Sequence, residues 1–527
     1  MKKMKGKRLL ALALAAAMIL ALAACSKKPT DSGTGGQGEI PEGKLFPEGT
    51  VISMAIGSHA SWPYNENWPI WKYFQEAVGA KFEIQAIPNE SFETKIPLMM
   101  ASPETLPDML HATNKSSIDS HALDGAFVSI SDNESKMPNY KKFLESLSED
   151  EREELLMQRK SGDGKIYFPP VYGTQTVTNL RTWMYRKDIF EKNNLQVPTT
   201  LNEVYEVSKK LKELYPDSYP LCFRTGLTQI DVMGPMWKND FSYAMYYDFQ
   251  TEKWAYGAAE DTMKDVISFF HKMYDEKLVP PDFLTIEAKS WEQLITTDRG
   301  FIMPEYLVRI DYFNVPARLE NPDYTWAVMD PPKADTPTGQ HKIAKLNMDP
   351  TGFLICNTQK EDRINNAFKL LDWMYSDEGS DLLSWGKQGE TYDVVDGKNE
   401  FIGLKEGETP QSAYGVGTYG LYQRVDPDAF EAIYTDEQRE QGKQAYKNTE
   451  EHVNPTLWLA LNPEEIQVTN ELKNAIVDYT KEALSKFLLR QRDMSEWDAF
   501  QKELKDMGLD ELLAAYTSAY DRAKSGS

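Results

Sequence analysis

Between residues 50 and 111 the apolar pattern changes period four times, and that alternation constrains the fold more than anything else in the chain. Thr50 to Ile56 is a mostly apolar stretch that reads as a buried strand. Trp71, Phe74 and Val78 follow at helical spacing behind Pro69, with Gly79 placed to close the helix. Lys81 to Ala86 alternates as a strand, Phe92 to Ala101 returns to helical spacing through Ile96, Met99 and Met100, and Asp108 to His111 is a third short strand. Strand, helix, strand, helix, strand in that order predicts a parallel sheet with helices on its faces, an α/β fold. Ligands of such sheets sit beyond the carboxyl ends of the strands. Two segments are therefore candidates, Gly57 to Trp68 and Ala112 to Asn114. The first holds Trp62, Tyr64 and Trp68 around Asn65 and Glu66, flat apolar faces beside hydrogen-bonding groups, as a sugar ring requires. Trp68 has a packing role over the helix start as its equal alternative.

The chain begins with Lys2, Lys3, Lys5, Lys7 and Arg8, then an apolar stretch from Leu9 to Ala24 too short and too Ala-rich to span a bilayer comfortably. Residues 1–24 are read as a secretory signal. Its end, Leu22-Ala23-Ala24-Cys25, resembles a bacterial lipobox, which implies cleavage before Cys25 and acylation of its sulfur. An ordinary signal peptide with a chance cysteine is the alternative. Residues 25–44, rich in Gly, Ser and Pro, have little to bury and are expected to be a flexible tether. The roughly 480 residues beyond exceed one core and suggest two or three domains. Cys222 and Cys356 sit in apolar runs and are expected as buried thiols.

A net charge of −23 repels nucleic acid and anionic lipid, and loss of the cationic leader makes the field more negative. Catalytic signatures are absent: there is no His-Glu-x-x-His, no Gly-x-Ser-x-Gly, no Walker loop and no Cys-x-x-Cys, and the six histidines have no metal spacing. What is abundant is aromatic: 12 Trp and 27 Tyr. Tyr172, Trp183, Trp237, Tyr306, Trp385 and Tyr392 fall in segments rich in Gly, Pro or polar residues, about half of them expected to pack rather than bind.

Gly162 to Pro170 (Gly-Asp-Gly-Lys-Ile-Tyr-Phe-Pro-Pro), Met184 to Phe190, Val197 to Glu203, Leu371 to Gly379, Gly389 to Tyr392 and Ala519 to Arg522 together resemble the extracellular solute-binding proteins of bacterial ABC sugar importers, in their LplA-type lipoprotein branch. The resemblance implies a two-lobe, periplasmic-binding-protein-like (type II) α/β fold with an interlobe cleft and a helical C-terminal part. Mapped here, one lobe takes 45–175 plus 300–350 and the other 176–299 plus 351–527. The cleft is then lined by Trp62, Tyr64, Asn65, His111, Asn114, Tyr172, Gln175 and Trp183, by Glu305, Tyr306 and Arg309 at the return crossing, and by Trp237, Trp385 and Tyr392 from the other lobe.

The implied function is a non-enzymatic, monomeric receptor without cofactor, palmitoylated at Cys25 on the outer face of the cell membrane. It would deliver an oligosaccharide to the permease subunits of an ABC transporter. An acidic calcium loop carried by some relatives is missing, which favours metal-free binding, and no Lys/Arg cluster stands among the candidates, which favours a neutral sugar. A carbohydrate-active enzyme and a peptide-binding lipoprotein are the alternatives.

Overall fold

The computed structural model describes residues 39–525 apart from 61–62, 103–104, 113–117, 119–120, 158, 175–179, 238–244, 249–250, 345–350, 419–420, 422, 451–458 and 460. Cys25, Trp62, Asn114 and Gln175 lie outside the described residues. The expected βαβαβ unit is present. β1 (Val51–Ser58) pairs in parallel with β2 (Lys81–Pro88) on one side and β3 (Met109–Ala112) on the other. The helix between the first two strands, Pro69–Val78, opens on its proline and ends at Gly79, whose φ of 78° a side chain would strain. It buries Ile70, Trp71, Phe74 and Val78 against the sheet.

The second sheet is built around β4 (Arg181–Arg186). Further along, β5 (Tyr246–Asp248) and β6 (Lys253–Ala255) form a hairpin. β7 (Ile302–Tyr306) and β8 (Trp326–Met329) flank β4, both antiparallel to it. After β9 (Ile343–Ala344) comes β10 (Gly352–Ile355), which returns to the first sheet as the antiparallel neighbour of β3. A buried ionic hub fastens that return: Asp108 accepts from the Ser53 backbone N–H at 2.7 Å and from Arg363 Nε at 2.5 Å.

The segments that come back to each lobe are therefore exchanged relative to the sequence expectation. Residues 300–329 complete the sheet of β4, whereas 352–434 complete the first lobe, with Phe353, Phe368, Leu371, Val416 and Phe430 in the core of Ile52, Trp71 and Phe74. Both returning strands are short and mostly apolar, and pairing partner, which local pattern does not encode, decides where each goes. The helical C-terminal part does join the second lobe. Asn462 and Glu465 form a reciprocal capping box at the start of Pro463–Leu488. That helix and Trp497–Asp506 place Ile476, Leu484, Phe487, Trp497 and Phe500 against Val266 and Phe270. Cys222 and Cys356 are buried free thiols, and among the described residues no helix is long and apolar enough to cross a membrane.

Candidate ligand-binding cleft

Strand direction brings one edge of each sheet to the site. In the first lobe the parallel strands β1 and β3 end at Ser58 and Ala112, so His59 and His111 lie at that edge. In the second, β7 ends at Tyr306 opposite the first residue of β4, Arg181. Leu221 bridges Ile302 in parallel, so Arg224 emerges at the same edge three residues later.

A charged cluster occupies this edge. Arg224 grips Glu305 through Nε at 2.5 Å and Nη2 at 3.2 Å, and the Tyr306 backbone N–H donates to the same carboxylate at 2.9 Å. Arg309 Nη1 donates to Glu292 at 3.3 Å. Both guanidinium groups gather around the buried ring of Trp291, at 5.6 and 5.1 Å. Arg181 lies 4.2 Å over the ring of Tyr306. Burial works against ionising Glu305, but Arg224, Arg309 and Arg181 outweigh it and hold the carboxyl below its ordinary range.

The two lobes meet electrostatically through His59. Burial, then the charges of Arg309 and Arg224, push its imidazole down to about 4, with Glu292 and Glu305 pulling the other way. His59 belongs to the first lobe and all four charged residues to the second, so the effect is exerted across the cleft. The imidazole is neutral at physiological pH.

The other expected residues divide between cleft and core. Tyr64 is partly exposed, its ring edge-on to Trp71 at 5.5 Å, and Asn65 is exposed, with Oδ1 accepting from the Asn67 N–H. His111 is buried edge-on to Phe353. Tyr172 stands at a crossing, its backbone bonded to Gln423 and Val425 and its ring half-buried on Phe143. Trp183, Trp237 and Trp385 are each only 2% exposed. Trp183 fills the core between β7 and β8, and Trp237 packs by Phe269. Trp385 donates to Asp426 and stacks near Tyr392, which opens the hairpin Tyr392–Val395/Lys398–Phe401. Trp385 and Tyr392 belong to the first lobe, contrary to expectation: the neighbouring Glu390 accepts from Tyr73. Trp68 takes its packing role, buried with Nε1 donating to Ser412.

Sequence reasoning missed Arg181, Arg224, Glu292 and His59 as site residues. Arg224 had a usable signal, since it directly follows the apolar run Leu221 to Phe223. Arg181, Arg224 and Arg309 stand together at this strand edge, whereas the sequence suggested no Lys/Arg cluster among the candidates. Among the described residues no group of three or more His, Cys, Asp or Glu is placed to hold a metal ion.

The family model of bacterial extracellular solute-binding proteins matches residues 65–381, more than half of the chain. The chain belongs to this family. Among its relatives, lipoprotein LipO of Bacillus subtilis is 24% identical over 75% of this chain and 76% of its own. The fructooligosaccharide ABC transporter substrate-binding protein FusA of Streptococcus pneumoniae is 23% identical over 97% of both chains. A crystal structure of the alginate-binding protein AlgQ2 without calcium ion superposes with a TM-score of 0.76 at 23% identity, covering 91% of this chain and all of that one. The two-lobe architecture is thus that of solved solute-binding proteins.

Proposed function

We propose that this solute-binding protein is the receptor of an ABC importer, holding an oligosaccharide between its lobes and passing it to the permease, with acylated Cys25 keeping it at the outer face of the membrane. One observation carries the reading: the strand edges of both sheets converge on one charged cluster, and His59 of one lobe lies within electrostatic reach of the Arg224–Glu305 and Arg309–Glu292 pairs of the other. A ligand contacting both edges at once stabilises the closed arrangement, and only that difference in affinity shifts the lobes. The partly exposed rings of Tyr64, Tyr172 and Tyr306 supply apolar faces. The ion pairs and Asn65, with Asn114 and Gln175 as further proposed contacts and Trp62 as a further aromatic platform, discriminate hydroxyl positions, because a buried polar group left unpaired costs about 1–3 kcal/mol.

Oligosaccharide recognition by FusA and the lipoprotein character of LipO support the ligand class and the anchor. Glu305, held ionised between arginines, is not itself a proton donor for glycoside hydrolysis. Thermal unfolding of the purified protein against neutral and acidic oligosaccharides, then peptides, tests the reading. A true ligand at 100-fold its Kd adds about 2.7 kcal/mol of stability. Stabilisation by a sugar class without turnover supports the proposal; product release, or stabilisation by peptides alone, refutes it.

A further inference from the structure

Of the three arginines at the cleft edge, two have a carboxylate within bonding distance and one does not. Arg224 is taken by Glu305 and Arg309 by Glu292. Arg181 forms no salt bridge or side-chain hydrogen bond among the described residues; its Nε is buried without a partner, while the side chain as a whole remains partly exposed. Its guanidinium carbon lies over the ring of Tyr306 at 4.2 Å, a contact that holds the side chain at this edge. A guanidinium at this strand edge with no carboxylate bonded to it among the described residues has the fork of N–H donors that a planar carboxylate takes.

We propose that Arg181 is the carboxylate-binding residue of the cleft and that the ligand is an acidic oligosaccharide containing hexuronate units. The inference rests on the oligosaccharide-binding reading above and narrows it. Two nearby acids do not neutralise Arg181. Glu305 already accepts three hydrogen bonds from Arg224 and Tyr306. Asp231, on the short helix Leu227–Val232, feels Arg181, but burial raises its carboxyl and its Oδ1 accepts no hydrogen bond. The chain's net charge of −23 opposes an anion at long range. That repulsion is screened beyond about 8–10 Å at physiological salt and acts mainly on the association rate, whereas Arg181 acts on the lifetime of the complex.

The test is titration calorimetry of the full-length protein with three tetrasaccharides: a 1,4-linked hexuronate, its methyl ester, and a neutral 1,4-linked hexose. The expected result is binding of the acid about ten- to a hundredfold tighter than the ester or the neutral sugar, the range of one charge-assisted bidentate contact. Arg181→Gln should abolish that ratio, while R181K keeps part of it. Equal affinity for acid and ester, or preference for the neutral tetrasaccharide, overturns the carboxylate inference and leaves the sugar-receptor reading standing. Should none of the three bind, both fall. An acid-to-ester ratio unchanged in the correctly folded R181Q variant also overturns the assignment to Arg181, whichever sugar binds best.

Discussion

Replacing Glu305 by alanine is the sharpest probe of the cluster. Its side chain is 2% exposed and that of Arg224 13%. The carboxylate accepts two bonds from Arg224 and one from the Tyr306 N–H. Removing it strands a desolvated guanidinium, and breaking one side of a buried ion pair costs about 3–5 kcal/mol. For a lobe of roughly 200 residues each kcal/mol is worth about 2–4 °C, so the transition of the second lobe should fall by about 6–20 °C in scanning calorimetry. The double variant R224M/E305L replaces the pair by apolar groups and should recover most of that stability while ligand binding stays lost. A loss below about 1 kcal/mol for E305A would refute the buried-pair reasoning. Sugar affinity surviving in the stable double variant would remove the cluster from the site.

His59→Asn tests the electrostatic contact between the lobes. Because the folded state holds the imidazole at about 4, against 6.5 when unperturbed, the unfolded chain binds more protons in between, and this group's contribution is full above 6.5 and lost as pH falls toward 4. The variant should flatten the urea-midpoint profile over that window, by up to about 2 kcal/mol once partial exposure is allowed for; an unchanged slope would contradict the contact. Gly173→Ala strikes the crossing at Tyr172: φ is +97° and an added Cβ would lie 2.2 Å from the Val425 carbonyl oxygen. It should cost about 2 kcal/mol or more in urea denaturation, and a loss under 0.5 kcal/mol would show that the crossing yields easily. Cys25→Ser should end palmitate incorporation and release the protein from the membrane fraction; retention there would argue for a different tether.

The first lobe's sheet was readable because its signals are local. Pro69 and Gly79 bracket a helix whose apolar face repeats at 3.6 residues, and the observed Pro69–Val78 agrees. Asn462 with Glu465 likewise announces its helix. Thr200-Leu201-Asn202-Glu203 has the sequence of a capping box, and Thr200 does accept from the Glu203 N–H, but the Glu203 side chain accepts from the Thr199 N–H rather than from that of Thr200. Residues 300–306 and 352–356 gave no local signal for their partners, since the choice of sheet is made by contacts far away in sequence. The cleft was half legible for the same reason. Tyr64, Tyr172, Glu305, Tyr306 and Arg309 lay in suggestive segments of the sequence, whereas Arg181, Arg224, Glu292 and His59 become neighbours only through topology. Trp183 and Trp385 carried the same aromatic signal as a binding platform, and burial spends it on the core.

The bond from Arg363 to Asp108 spans 255 positions, and the partner strand of β3 is not made until the whole second sheet has been translated. The lobe that begins the chain is therefore the one that must wait. Its first three strands emerge with an unpaired edge, and that exposure is prolonged for as long as the inserted lobe takes to be made. Nucleation is expected to be cheaper in the second lobe, whose sheet closes within one uninterrupted stretch, so that the order in time would run opposite to the order in sequence.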